Sequence, residues 1–205
     1  MEDSREVDEM EGTVEDGGQR RKSIEAGAAN RYQERFGEPS ERARLKVADR
    51  MDPYVQEFVR HAPFAVMSTA DGDGRCDASP RGGHPGFVKV LDDRRLLLPD
   101  VRGNKLFQSY DNIDANPNVG LIFFIPGVDY TARVNGRARV VDEEDLKARG
   151  ISMEIFNPDD EAALLQGLLI EVEESYPHCP RALKFSRLWD EGVIAGNKQD
   201  PPVSR

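Results

Sequence analysis

Seven basic side chains fall between residues 75 and 105 (Arg75, Arg81, Lys89, Arg94, Arg95, Arg102 and Lys105), against four Asp, in a chain of formal net charge -10. Two of these cations stand beside permissive backbone. Arg81 is followed by Gly82 and Gly83, and Arg102-Gly103-Asn104-Lys105 leads into a helical pattern. Cations and glycines at a helix start suit a phosphate group, because unpaired helix amides and charged donors converge there. Other chemistries are poorly supplied. His61, His84 and His178 are scattered, and no His/Cys/Asp spacing predicts a metal site. Cys76 and Cys179 form neither a C-x-x-C pair nor a disulfide framework, so both read as reduced thiols, with Cys179 expected to be buried. No P-loop, GxGxxG or GxSxG pattern occurs, which removes nucleoside triphosphate, Rossmann and serine hydrolase readings.

The elements that must position these residues are mostly short strands. Asp52-Pro53 predicts a helix start, Asp as N-cap and Pro at the first helical position, with Tyr54, Val55, Phe58 and Val59 on one face. Residues 64–69 read as a buried strand, 71–74 as a hairpin turn and 75–79 as the returning strand. Residues 87–91 and 95–99, joined by Asp92-Asp93, make a second hairpin. Asn104 is expected to cap a helix whose face carries Leu106, Phe107, Tyr110 and Ile113 and which ends before Asn116-Pro117. Residues 119–125 form a strand apolar on both sides. Residues 130–141 form a long one whose Gly136 predicts a bulge or a close backbone approach. Asp142 caps a short helix, residues 168–173 are the last clear strand, and from His178 the pattern turns helical. Six or seven strands with short links, in meander-like order, predict a mainly β fold with flanking helices, an antiparallel barrel.

Composition bounds the partners. Residues 1–16 carry eight acids and one base, a net -7 of the total -10, so the remainder is close to neutral. Residues 1–40 read as a disordered acidic extension, 41–191 as the folded domain and 192–205 as a polar tail. Low basicity excludes a nucleic-acid partner, and no window approaches the roughly 18 apolar residues of a membrane span. A cytoplasmic protein is expected.

Several segments together resemble one family. They are F-A-V-M-S-T (64–69), D-A-S-P-R-G (77–82), the strand pair of 87–100, R-G-N-K (102–105), N-x-x-x-N-P-x-V-G-L-I-F (112–123), R-V-N-G-R-A (133–138) and K-x-S-R-L-W (184–189). In this order they resemble the pyridoxamine 5'-phosphate oxidase family of FMN-binding split barrels, and more narrowly its small bacterial FMN-dependent branch. The resemblance implies FMN held non-covalently by Ser79, Arg81, Gly82, Arg102, Asn104 and Lys105, with Lys184 and Trp189 closing the site. It also implies a homodimer with cofactor sites at the subunit interface, and an oxidoreductase acting on a small organic molecule. It assigns no catalytic residue. The family's archetype carries an R-Q pair where this chain reads Tyr130-Thr131-Ala132, and ends in a basic segment absent here. Those departures remove a vitamin B6 substrate and leave the cofactor. Two other readings stand beside this one: a flavin carrier, sensor or stress protein without turnover, and an enzyme using a deazaflavin or haem on the same barrel.

Overall fold

The computed structural model describes residues 30–101, 106–148, 150–151 and 164–203, in two units that divide between Arg44 and Leu45. The described part of the first unit holds α1 (Arg31–Phe36) and most of α2 (Glu41–Leu45), neither of which buries a residue. A reciprocal cap starts α1. Asn30 Oδ1 accepts from the backbone N–H groups of Tyr32 (3.0 Å) and Gln33 (3.1 Å), and Gln33 Oε1 accepts from the N–H of Asn30 (2.9 Å). Local helix thus occupies part of the segment expected to be disordered, and residues 1–29 lie outside the described residues.

The second unit opens on α3 (Pro53–His61), where Asp52 Oδ1 accepts from the N–H of Val55 at 2.7 Å and Val55, Phe58 and Val59 are buried. Then come β1 (Phe64–Ala70), β2 (Cys76–Gly82), β3 (Lys89–Val90), β4 (Arg95–Val101), α4 (Gln108–Ala115), β5 (Asn118–Phe124) and β6 (Thr131–Val141). The unit closes with α5 (Glu143–Ala148), β7 (Leu164–His178), α6 (Arg181–Ser186) and α7 (Glu191–Gln199). The seven strands form one antiparallel sheet in the order β2-β1-β5-β6-β7-β4-β3. The mainly β, antiparallel architecture is the expected one. The meander is not: β5 lies beside β1, and β4 beside β7.

A single core explains why the sheet curls. Ala65 and Met67 of β1, Leu96 and Leu98 of β4, Leu121 and Phe123 of β5, and Leu168 and Ile170 of β7 join Met51, Val55 and Val59 in one buried cluster. Each such side chain, fully buried, contributes about 1.5 to 3 kcal/mol. No ladder joins β2 to β3, the two ends of the strand order, so the curled sheet remains split. A satellite cluster of Leu97, Val141, Leu146 and Leu169 covers the other face of β4 and β7, with Leu146 supplied by α5.

Several boundaries differ from the sequence reading. Strand β7 runs to His178, five residues beyond its expected end, because its second half pairs with β6 and Ser175 exchanges backbone bonds with Ala48 (2.8 and 3.0 Å). Helix α4 starts at Gln108, preceded by Phe107 in the left-handed region (φ 51°) with no side-chain cap. Leu106 and Phe107 are accordingly exposed, Phe107 meeting the Tyr110 ring edge-on at 6.0 Å between centroids. Asn104, the expected cap, lies outside the described residues. The stretch from Gly192, expected as a polar tail, is helical through Gln199, capped where Asp190 Oδ1 accepts from the N–H of Val193 at 2.9 Å. Cys179 is exposed, as is Cys76, and both are free thiols.

Candidate functional site

Strand β2 alternates two kinds of residue. Asp77, Ser79 and Arg81 are half-buried, while Cys76, Ala78, Pro80 and Gly82 are exposed. Residues directly opposite one another in a ladder share a face. The partners of Asp77, Ser79 and Arg81 on β1 are Thr69, Met67 and Ala65, all buried. The three polar side chains of β2 therefore point to the interior side of the split edge.

Helix α4 packs over this edge and brings polar groups to it. Ser109 Oγ donates to Asp77 Oδ2 at 3.2 Å, and Asn112 Nδ2 donates to Thr69 Oγ1 at 2.9 Å. The Tyr110 hydroxyl lies close enough to Asp100 and Gln166 for both to act on its ionisation. Asp100 and Gln166 are direct partners across β4 and β7. Burial pushes the Asp100 carboxyl above its ordinary range, opposed by the Tyr110 hydrogen bond and the charge of Arg81. Burial, then the charge and hydrogen bond of Asp100, pushes the Tyr110 phenol upward. Arg81 thus lies within electrostatic reach of Asp100 on β4 and Tyr110 on α4.

Whether this edge suits a phosphate can be judged from its donors. Arg81 makes one long hydrogen bond, to the Pro80 carbonyl at 3.5 Å, and no ion pair with a described carboxylate. By contrast Arg75, Arg94 and Arg95 each hold an aspartate. Ser79 Oγ has no hydrogen-bond partner among the described residues. At Gly82 a Cβ would make ordinary contact with the Pro63 carbonyl at 3.5 Å and Phe64 Cδ2 at 3.8 Å, so the backbone there is packed against the start of β1. A guanidinium and a hydroxyl with free donor capacity fit an anionic phosphate.

The other expected site residues are placed differently. Arg102, Asn104 and Lys105 lie outside the described residues, between Val101 of β4 and Leu106 before α4. Lys184, on α6, is exposed and pairs with Asp129 at 3.7 Å. Trp189 is half-buried and donates its indole N–H to the Val128 carbonyl at 3.1 Å. Both contact the turn between β5 and β6, and no described contact joins them to Ser79 or Arg81. The sequence reading passed over Asp77, Asp100, Tyr110 and Gln166. A signal existed in α4, whose buried positions include the polar Ser109 and Asn112.

A split antiparallel barrel with an anion-ready strand at its seam is the class of protein that fold and site define. The sequence profile described as pyridoxamine 5'-phosphate oxidase matches residues 51–179, and the chain belongs to that family. Three solved structures illustrate the likeness. HupZ from Group A Streptococcus is 17% identical, with a TM-score of 0.41 over 60% of this chain and 90% of that one. General Stress Protein 26 of Bacillus anthracis is 16% identical, with a TM-score of 0.41 over 60% and 89%. The FAD binding protein of Mycobacterium smegmatis is 18% identical, with a TM-score of 0.41 over 63% and 95%. No curated protein sequence matches the chain. Among the described residues no helix is long and apolar enough to cross a membrane.

Proposed function

We propose that the chain is an FMN-dependent oxidoreductase acting on a small organic substrate, as a homodimer in the cytoplasm. The observation that carries this reading is Arg81, a half-buried guanidinium on the seam strand of a family member, without an ion pair among the described residues. Ser79 and Arg81 bind the cofactor phosphate from β2. The family pattern adds Arg102, Asn104 and Lys105 from between β4 and α4, and Lys184 and Trp189 from the segment after β7. Bound flavin supplies the acceptor for a hydride or electron pair. The protein's part is to orient it and limit water. The departure at Tyr130-Thr131-Ala132 points to a substrate other than vitamin B6. Free thiols at Cys76 and Cys179 suit a reducing compartment.

The homodimer has its own support. On the outer face of the sheet Phe64 is exposed and stacks near Phe124 (6.0 Å between ring centroids), beside the half-buried Val66 and Ile122. A second copy covers such a surface twice through one two-fold axis, with an interface on the order of 2,000 Å².

Mass spectrometry of the small molecule released from the purified full-length chain tests the cofactor: FMN is expected, and a deazaflavin or haem overturns the assignment. Oxidation of NAD(P)H with an acceptor then tests turnover. FMN bound without turnover for any donor would favour the carrier or sensor reading.

A further inference from the structure

Cations on the surface of this acidic chain are commonly matched to carboxylates: Arg50 to Asp49, Arg60 to Glu57, Arg75 to Asp71 and Asp73, Arg94 to Asp49, Arg95 to Asp92, and Arg187 to Asp190. Lys46, Arg133 and His178 break that pattern. All three gather around the ring of Tyr176. Arg133 Nη1 donates to Tyr176 Oη at 2.8 Å, and its Cζ lies 5.4 Å from the ring centroid. Lys46 Nζ is also 5.4 Å from that centroid, and the His178 ring is 6.1 Å away. The four side chains are half-buried. Among the described residues no carboxylate pairs with Lys46, Arg133 or His178. Acids on nearby positions of the same strands are engaged elsewhere: Glu174 accepts from Asn135 Nδ2 at 2.6 Å, and Asp129 pairs with Lys184.

Ladder register places this group on the outer face. Pro80, Val66, Ile122, Arg133 and Tyr176 are successive direct partners across β2, β1, β5, β6 and β7. The basic group therefore ends a row across five strands whose first three members, Pro80, Val66 and Ile122, are apolar, on the opposite face from Ser79 and Arg81.

We propose that Lys46, Arg133, Tyr176 and His178 form a second anion site, which takes the carboxylate or phosphate of a small molecule. Like charges held together in a partly buried site repel, and an anion relieves that repulsion while accepting charge-assisted hydrogen bonds. Burial, then the charges of Arg133 and Lys46, already holds the His178 imidazole below its ordinary range. An anion bound among them must raise it, by the reciprocity of linked equilibria. This inference is independent of the flavin reading, since phosphate taken up beside Arg81 lies across the sheet.

The test is a proton NMR titration of the three histidines in the full-length protein, with His178→Gln assigning one resonance and His61 and His84 as internal references. Inorganic phosphate, benzoate and sodium chloride are compared at equal ionic strength. At millimolar concentration phosphate or benzoate is expected to raise the His178 pKa by about one unit, with the two references unmoved. Lys46→Gln should raise the concentration needed by about tenfold, the effect of one charged hydrogen bond. Benzoate acting below phosphate identifies an aromatic carboxylate as the preferred class, and the reverse order a phosphate ester. An equal response to chloride means charge screening only and overturns the proposal. So does the absence of any shift, or a shift that Lys46→Gln leaves unchanged.

Discussion

Replacing Gly136 with Ala strikes the join between the two longest strands. A Cβ at that position would stand 2.0 Å from the Glu171 carbonyl oxygen, 2.9 Å from its carbon and 3.2 Å from Val172 Cα. Ordinary contact begins at 3.4 Å, so β6 and β7 must part by up to 1.4 Å (3.4 less 2.0), and the opposing atoms are backbone with no rotamer to yield. Overpacking against side chains costs about 1 to 3 kcal/mol, and this case belongs at or above the upper end, about 3 kcal/mol. For a chain of this size each kcal/mol lowers Tm by about 2 to 4 °C, which gives a fall of about 6 to 12 °C. Gly120→Ala is the matched control, because its Cβ meets only the Asn135 amide oxygen, at 3.0 Å, at the end of a side chain that can turn away. Far-UV circular dichroism melts of the parent and both variants provide the assay. A Gly136→Ala protein melting within about 2 °C of the parent, or a Gly120→Ala protein falling as far, would refute the close approach of β6 to β7.

Three further outcomes follow from single contacts. Gly196→Ala, in the interior of α7 with open space around the new methyl, should stabilise by about 0.5 to 1 kcal/mol in denaturant melts; destabilisation would contradict a helix there. Asn112→Ala should cost about 1 to 3 kcal/mol, because the buried Thr69 hydroxyl loses its donor; a neutral effect in the same melts would remove that bond. Asp100 is held protonated to higher pH in the folded state than in the unfolded one, so its contribution is present at low pH and is lost as pH rises through the raised pKa. Asp100→Asn should therefore melt increasingly above the parent as pH is raised from about 4 to about 7, and a constant or shrinking difference would reverse the sign.

Punctuated elements could be read from the sequence. Asp52-Pro53 fixed the start of α3, Asp142 accepts from the N–H of Asp145 at 2.8 Å as expected of a cap, and the mid-strand glycine marked the bulge between Asn135 and Gly136. What escaped depends on partners distant in sequence. The last strand was expected to end at Glu173, yet it runs on to His178 with β6 as its strand partner, β4 having stopped pairing at Glu171. α7 was hidden by Gly192 and Gly196, poor helix formers, although Asp190 caps it. Ser79 and Arg81 were singled out in the sequence, but their inward period-two array with Asp77 needed β2 to run on to Gly82. Its meeting with Asp100, Tyr110 and Gln166 required the curl that brings opposite ends of the strand order around one core.

The phosphate site at Arg81 is tested most directly by comparing FMN with riboflavin, which lacks the phosphate, in the parent and in Arg81→Gln by isothermal titration. A hydrogen bond to a charged group is worth about 1.5 to 3 kcal/mol, which at 1.4 kcal/mol per decade is about 12- to 140-fold in affinity. The parent should prefer FMN to riboflavin, and Arg81→Gln should lose about that factor of preference while its riboflavin affinity stays within about threefold of the parent. A preference for FMN unchanged in Arg81→Gln would place the phosphate elsewhere and contradict the account.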